Sequence, residues 1–275
     1  MTDESPDLPY NKAGLDKSFS KGLILLRHLA TCEAPAGISD LSAALGMTKS
    51  NVHRLLQTLA AYGFVHKNAK SRYSPSLRYW EMGYEVWLHS RAGQVALNDA
   101  DGLALKANCL VHITLAAEES QELILYDRIG TPIAHPMRRL WPTGTRVPIW
   151  RIINGWSDFV AFQIAYIAAK PEVELTSRRD EISRHLEDSG LTYEGLAEHV
   201  TAARDLGYAE NLGSGLENIE GTACAFRDET GAPVGVLSTI YDRDGSRDGR
   251  REDTGRLNRL YAHSISRSLG FRDPN

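Results

Sequence analysis

Between residues 49 and 62 the apolar positions are Val52, Leu55, Leu56 and Leu59, the i, i+3, i+4, i+7 spacing of one helical face. Ser50, His53, Arg54 and Gln57 repeat that spacing on the opposite side, so the helix has one apolar stripe and one polar, basic stripe. Two other apolar sets precede it. Leu23, Leu26, Leu29 and Ala30 predict a first helix over residues 19–30 with Ser18 as N-cap, and residues 38–46 predict a short second helix running from Ser39 as N-cap to Gly46 as its stop. Only Gly46-Met47-Thr48 separates the second helix from the third, and Gly63 closes the third. Residues 64–67 and 72–74 then flank Asn68-Ala69-Lys70-Ser71 as two short strands around a basic tip. A short helix, a tight turn with glycine, a helix with a basic face and a hairpin make a winged helix-turn-helix, whose second helix would enter a DNA major groove.

Further along, Trp80, Tyr84, Trp87 and Leu88 form one stripe of a helix over residues 77–89, too aromatic for a solitary surface helix to leave uncovered. A helix over residues 92–108, with Val95, Leu97, Leu103 and Leu105, leads into strand-like runs at 109–116 and 122–127. An irregular, proline-bearing stretch follows (Pro132, Pro136, Pro142, Pro148), then helical patterns near 156–169 and 178–206. Strands are expected near 207–211, 219–227 and 234–241, a charged solvated loop over 242–251, and a last helix over 253–269. Strands on both sides of central helices predict an antiparallel sheet with helices packed on it, an α+β domain. The expected organisation is a tail over 1–17, a winged helix-turn-helix over 18–78, a linker helix over 79–91 and an α+β domain over 92–275.

Composition changes this picture little: 275 residues with 42% hydrophobic and 24% charged side chains suit two globular domains. Charge changes it more. The formal net charge of −4 argues, as a total, against a nucleic-acid binder. Between residues 18 and 78, however, Lys21, Arg27, Lys49, Arg54, Lys67, Lys70, Arg72 and Arg78 face only Glu33 and Asp40, and residues 41–80 hold no acidic residue at all. A surface that approaches phosphates avoids carboxylates, which would repel the backbone. The three cysteines, Cys32, Cys109 and Cys224, are far apart and form no disulfide framework and no metal-binding pair. The start of the chain carries Asp3, Glu4 and Asp7 instead of a basic, apolar leader, and no apolar run is long enough to span a membrane, so a cytoplasmic protein with no membrane partner is expected.

The candidate DNA contacts are Ser39, Thr48, Lys49, Ser50, Asn51, His53, Arg54 and Gln57, which can reach base edges or phosphates, and Lys67, Lys70 and Arg72 on the wing, which would touch backbone or minor groove. The run Gly46-Met47-Thr48-Lys49-Ser50-Asn51-Val52-His53-Arg54-Leu55-Leu56-Gln57-Thr58-Leu59, followed by Gly63-Phe64-Val65, resembles the recognition-helix signature of IclR-type bacterial transcription regulators. Asn51 stands where that family usually has Thr. The second half is similar to the family's effector domain, which is GAF-like in fold, at Gly144-Thr145-Arg146-Val147-Pro148, at Gly155, at Arg204-Asp205-Leu206-Gly207-Tyr208-Ala209 and at the paired strands 222–228 and 233–239. It departs from the family at Ile153-Asn154-Gly155-Trp156-Ser157 and at residues 211–218, where family members build a small-molecule pocket.

The resemblance implies a linker helix packed against a partner in a dimer; on the residues alone, any single aromatic of the stripe also reads as docking on its own domain. It also implies an effector pocket at Trp141, Ile149, Gly155, Trp156, Ile219, Gly221, Ala223, Ser238 and Ile240. The bare amides of a helix starting at Gly155 would favour a carboxylate, and Trp141, Trp150 and Trp156 favour an aromatic or mostly apolar acid, although each tryptophan taken singly also reads as core. Arg138, Arg139, Arg146 and Arg151 can pair a carboxylate, or sit at the surface beside acidic residues.

No catalytic motif is present: there is no G-x-S-x-G elbow, H-E-x-x-H, Walker A lysine or G-x-G-x-x-G. His112 and His135 could meet Cys109 or Cys224 at a metal, but no spacing supports it, and structural roles are the better reading. No catalytic residue, metal or cofactor is therefore expected. The reading is a DNA-binding regulator, a homodimer or a dimer of dimers, acting on a pseudo-palindromic operator under the control of a small organic acid and governing catabolic genes. The alternative is a metabolite-binding GAF-like enzyme or sensor whose winged domain makes protein contacts.

Overall fold

The computed structural model of the chain describes residues 14–117, 119, 121–130, 143–150, 161–186, 191–210, 219–242 and 250–272. The chain separates into two compact units, Met1–Leu88 and His89–Asn275.

The first unit holds α1 (Lys17–Thr31), α2 (Ile38–Leu45), α3 (Lys49–Ala61), the strands β1 (Val65–Lys67) and β2 (Tyr73–Pro75), and α4 (Arg78–His89), the last residue of which falls in the second unit. Two caps differ from those expected. Asp16, not Ser18, caps α1, its side chain accepting the Phe19 N–H at 2.7 Å. An ionised acceptor suits the positive end of the helix better than a hydroxyl. Gly37, not Ser39, caps α2, and the Asp40 carboxylate accepts the Gly37 N–H at 3.1 Å; Ser39 lies inside the helix. Gly46 then adopts φ +61°, a left-handed turn that glycine takes without strain, and this sets the angle between α2 and α3.

The apolar face of α1 is also rotated from the expected one. Ile24, Leu25 and Leu29 are buried with Leu41, Val52, Leu56, Val65 and Tyr73, whereas Leu23 is exposed. Leu23 and Leu26 belong to a second apolar face (below). The tyrosine of the wing is bound into the unit: Tyr73 and Ala36 exchange two backbone hydrogen bonds of 2.8 Å, so the segment between α1 and α2 pairs beside the hairpin.

In the second unit, α5 (Arg91–Ala107), capped by Ser90, leads into a six-stranded antiparallel sheet. Its strands are β3 (Leu110–Ala117), β4 (Glu122–Gly130), β5 (Arg146–Pro148), β6 (Ala209–Glu210), β7 (Ile219–Arg227) and β8 (Pro233–Asp242), in the order β5-β4-β3-β8-β7-β6. One face carries a core shared with α6 (Ala161–Ala169), α7 (Glu172–Ser177), α8 (Arg179–Leu186) and α9 (Tyr193–Leu206). The other packs on α5 and α10 (Arg250–Ser268). With both faces buried, neither follows the polar–apolar alternation of a half-solvated sheet. The expected helix over 178–206 is instead α8 and α9, and α7 was not foreseen. Two residues of the expected charged loop, Arg250 and Arg251, instead form the first turn of α10, where Arg250 lies over the Tyr241 ring at 4.3 Å and Arg251 meets Glu220 at 2.7 Å. Gly255 permits the close approach of α10, since a Cβ there would lie 2.3 Å from the Tyr208 ring.

Candidate functional site

The N-terminus of α3 is built by Thr48, whose hydroxyl accepts the Asn51 N–H at 3.3 Å. Val52 and Leu56 anchor the helix in the core with no exposed surface. The opposite side is thereby presented to solvent: Lys49, Ser50, His53, Arg54 and Gln57 are all exposed along one face, with Asn51 half-buried at its margin. No acidic side chain lies on α3.

The wing is set by a local polar network. Asn68 accepts the backbone N–H groups of Lys70 and Arg72, both at 3.0 Å, and Ser71 takes the left-handed conformation that turns the tip. Lys67 and Lys70 are exposed. Arg72, expected as a DNA contact, also has an architectural task. Its guanidinium donates to the Asp40 carboxylate and to the Pro35 carbonyl, each at 2.8 Å, and so ties the wing to the start of α2. Ser39 is exposed next to this contact.

A second apolar surface of the same unit lies between α1, α3 and α4. A groove of about 840 Å³ is lined by Phe19, Leu23, Leu26, Leu55, Leu59, Tyr62, Phe64, Tyr79 and Met82, with Arg54 at its rim. Tyr79 anchors α4 there, donating to the Leu26 carbonyl at 3.1 Å and meeting Phe64 edge-to-face. No residue of α4 is buried, and Trp80, Tyr84 and Trp87 stack along it at 5.2 and 5.6 Å.

Several residues expected at an effector pocket lie in the core of the second unit. Ile149, Ile219, Ala223 and Ile240 are buried in one core cluster. Gly221 stands opposite Ile240 and Ala223 opposite Ser238 on the paired strands β7 and β8. Trp141, Gly155 and Trp156 lie outside the described residues, as do Arg138, Arg139, Arg151 and His135. Trp150 is a core residue: its indole N–H donates to Gln121 at 3.0 Å and the Arg178 guanidinium covers its ring at 5.1 Å. Arg146 pairs with Glu122 at the edge of the sheet.

The sequence reading missed a polar row on this same sheet face. Cross-strand register aligns Arg128 on β4 with His112 on β3, His112 with Ser238 on β8, and Ser238 with Ala223 on β7. Burial and the neighbouring Arg128 charge lower the His112 pKa to about 4, and the Ser238 hydroxyl is buried without a hydrogen-bond partner. The available signal was the alternation over residues 110–116, where His112 and Thr114 interrupt one face. Among the described residues no three His, Cys, Asp or Glu side chains cluster as a metal would require. Burial pushes the Cys109 and Cys224 thiols up to about 12, which leaves both unreactive at neutral pH.

The IclR helix-turn-helix domain matches residues 18–69. Over nearly the whole chain, the HTH-type transcriptional repressor AllR of Salmonella paratyphi A is 22% identical across 264 residues, 94% of this chain and 92% of that one. Residues 18–69 thus form a helix-turn-helix of the IclR type. Solved structures share its fold: a putative transcriptional regulator from Rhodococcus sp. RHA1 has a TM-score of 0.73 at 18% identity, covering 93% of this chain and 98% of its own. An IclR homolog from Microbacterium hydrocarbonoxydans, complexed with 4-hydroxybenzoate, has a TM-score of 0.67 at 18% identity, covering 90% and 97%. The chain thus has an N-terminal helix-turn-helix of the IclR type and a C-terminal α+β domain, the architecture of these solved regulators. Among its described residues no helix is long and apolar enough to cross a membrane.

The buried histidine of the α+β domain has a measurable consequence. A histidine that stays neutral when folded but protonates freely when unfolded draws protons toward the unfolded state. Stability is therefore full above the unfolded pKa of 6.5 and falls as pH drops toward the folded value of about 4. Between pH 7.5 and 5 the loss from His112 is about 2 kcal/mol. Denaturant titrations of the wild type and of His112→Gln at both pH values check this: the wild type should lose that much more than the variant, and equal losses would assign no such role to His112.

Proposed function

We propose that this protein is a cytoplasmic transcriptional repressor, not an enzyme, which binds a pseudo-palindromic operator as a homodimer or a dimer of dimers and is controlled by a small organic, aromatic acid. The observation that carries the reading is α3, anchored by Val52 and Leu56, with Lys49, Ser50, His53, Arg54 and Gln57 on its outer face and no carboxylate beside them. Those side chains read bases and flanking phosphates, Thr48, Asn51 and Ser39 contribute near the helix starts, and Lys67, Lys70 and Arg72 hold the DNA backbone beside the wing. The repressor assignment is supported by the name of the AllR relative, and the aromatic acid by the ligand of the Microbacterium homolog. A second copy covering the groove and the stacked aromatics of α4 would supply the dimer, and catabolic genes are the proposed targets. Trp141, Ile149, Gly155, Trp156, Ile219, Gly221, Ala223, Ser238 and Ile240 are the proposed effector contacts.

Linkage provides the test. An effector alters DNA affinity only through its different affinity for the DNA-competent state, and the coupling is reciprocal. Fluorescence anisotropy with a selected operator duplex, with and without 4-hydroxybenzoate and a panel of related acids, should show a change of about 5- to 150-fold in operator affinity for at least one acid. Titration of that acid with and without operator should show the same factor. An operator affinity unchanged by every acid would contradict the acid-effector reading.

A further inference from the structure

We propose that Asp40 lies on the DNA-facing surface of the first unit and that Arg72 serves DNA binding by cancelling its charge. This rests on the DNA-binding reading above and adds to that surface an acidic residue with a defined electrostatic task. The carboxylate is present for a local reason. Helix α2 starts from Gly37, which has no side chain to accept an amide, and Asp40 in the first turn reaches back to take the Gly37 N–H on Oδ2 at 3.1 Å. A negative charge also suits that end of the helix.

The same carboxylate stands at the surface. Its side chain is 58% exposed, it follows Ser39, a proposed DNA contact, and it touches the wing. Between residues 34 and 80 no other acidic residue occurs. A carboxylate beside DNA repels the phosphates and offsets a neighbouring cation that would otherwise release a counterion. Arg72 removes that repulsion. Its Nη2 donates to the same Oδ2 and its Nε to the Pro35 carbonyl, each at 2.8 Å, so two bonds fix the guanidinium against the carboxylate.

The ion pair is not what attaches the wing, because Tyr73 and Ala36 already exchange two backbone hydrogen bonds there. With 48% of the Arg72 side chain exposed as well, the pair contributes little to stability. Its effect falls on DNA binding. The local charge is neutral with both residues in place, negative with Asp40 alone and positive with Arg72 alone. Lys67 and Lys70 then supply the net positive charge of the wing, and Arg72 keeps Asp40 from offsetting it.

Anisotropy titrations of the full-length protein over a salt series, with a selected operator duplex and a mixed-sequence duplex, test this. Arg72→Gln should weaken both complexes about 3- to 10-fold and lower the slope of log affinity against log salt by about one. Asp40→Asn, whose amide oxygen can still accept the Gly37 N–H, should strengthen both about 3- to 10-fold and steepen the slope by about one. The double variant should return to within about 2-fold of the wild type, with the wild-type slope. Melting curves of the three variants should stay close to that of the wild type, since the pair is exposed. A double variant closer to Arg72→Gln than to the wild type would make Arg72 a direct DNA contact and overturn the proposal. Asp40→Asn binding and salt dependence equal to those of the wild type would overturn it too, by placing Asp40 away from the DNA. A wild type that binds neither duplex would overturn the DNA-binding reading and the proposal with it.

Discussion

Replacing Lys49 and Arg54 together with alanine should lower operator affinity roughly 100- to 1000-fold and leave both units folded. Each side chain is exposed on the outer face of α3, opposite the buried Val52 and Leu56. A groove contact by such a residue is worth about 1 to 3 kcal/mol, and two contacts of about 1.4 to 2 kcal/mol each give this range. The same variant should show a shallower salt dependence, because each lost phosphate contact removes about one released counterion from the slope of log affinity against log salt. Anisotropy titrations at several salt concentrations, with far-ultraviolet circular dichroism as a fold control, measure both effects. Unchanged affinity would place the DNA surface elsewhere on the protein.

Leu56→Ala should have the opposite signature, a loss of DNA binding through loss of the fold. Leu56 is fully buried on α3 between α1, α2 and the wing, in a cluster with Leu25, Leu29, Leu41 and Val52. Truncating such a leucine costs about 2 to 5 kcal/mol. A unit of this size has a small core, and its stability is of the same order. The expected result is a thermal unfolding profile in which the first unit melts below the second, with operator affinity lost at growth temperature and acid binding by the second unit kept. A variant that melts and binds DNA as the wild type does would contradict the placement of α3 in this core.

These two expectations were open to derivation from sequence because one helix separates its two jobs by face. In α3 the buried set and the exposed basic set are each spaced for a 3.6-residue turn, and the glycines at 46 and 63 mark its limits. The first helix was harder. It carries two apolar faces, and the sequence weights Leu23 and Leu26 equally with Ile24 and Leu25, so periodicity alone selected the stripe that lines the groove over the one that fills the core. Its cap was expected at Ser18, and only the geometry shows that Asp16, two residues earlier, takes that place. The sheet resisted reading for a different reason. With helices on both sides, its strands read as continuous apolar runs, and a polar row formed by β4, β3 and β8 becomes visible only when register brings residues 128, 112 and 238 together. Short α7, of six residues, has too few turns to show a period.

The central claim is sequence-specific DNA binding through α3. Its most direct test is selection: the purified wild type is incubated with a pool of randomised duplexes at moderate salt, and the retained DNA is sequenced. A symmetric dimer with one recognition helix per subunit predicts a single enriched inverted repeat whose half-sites lie about 10 bp apart, or a multiple of that, and which disappears when Lys49 and Arg54 are replaced. Retained DNA with no enriched motif, or a motif that survives those replacements, would contradict it.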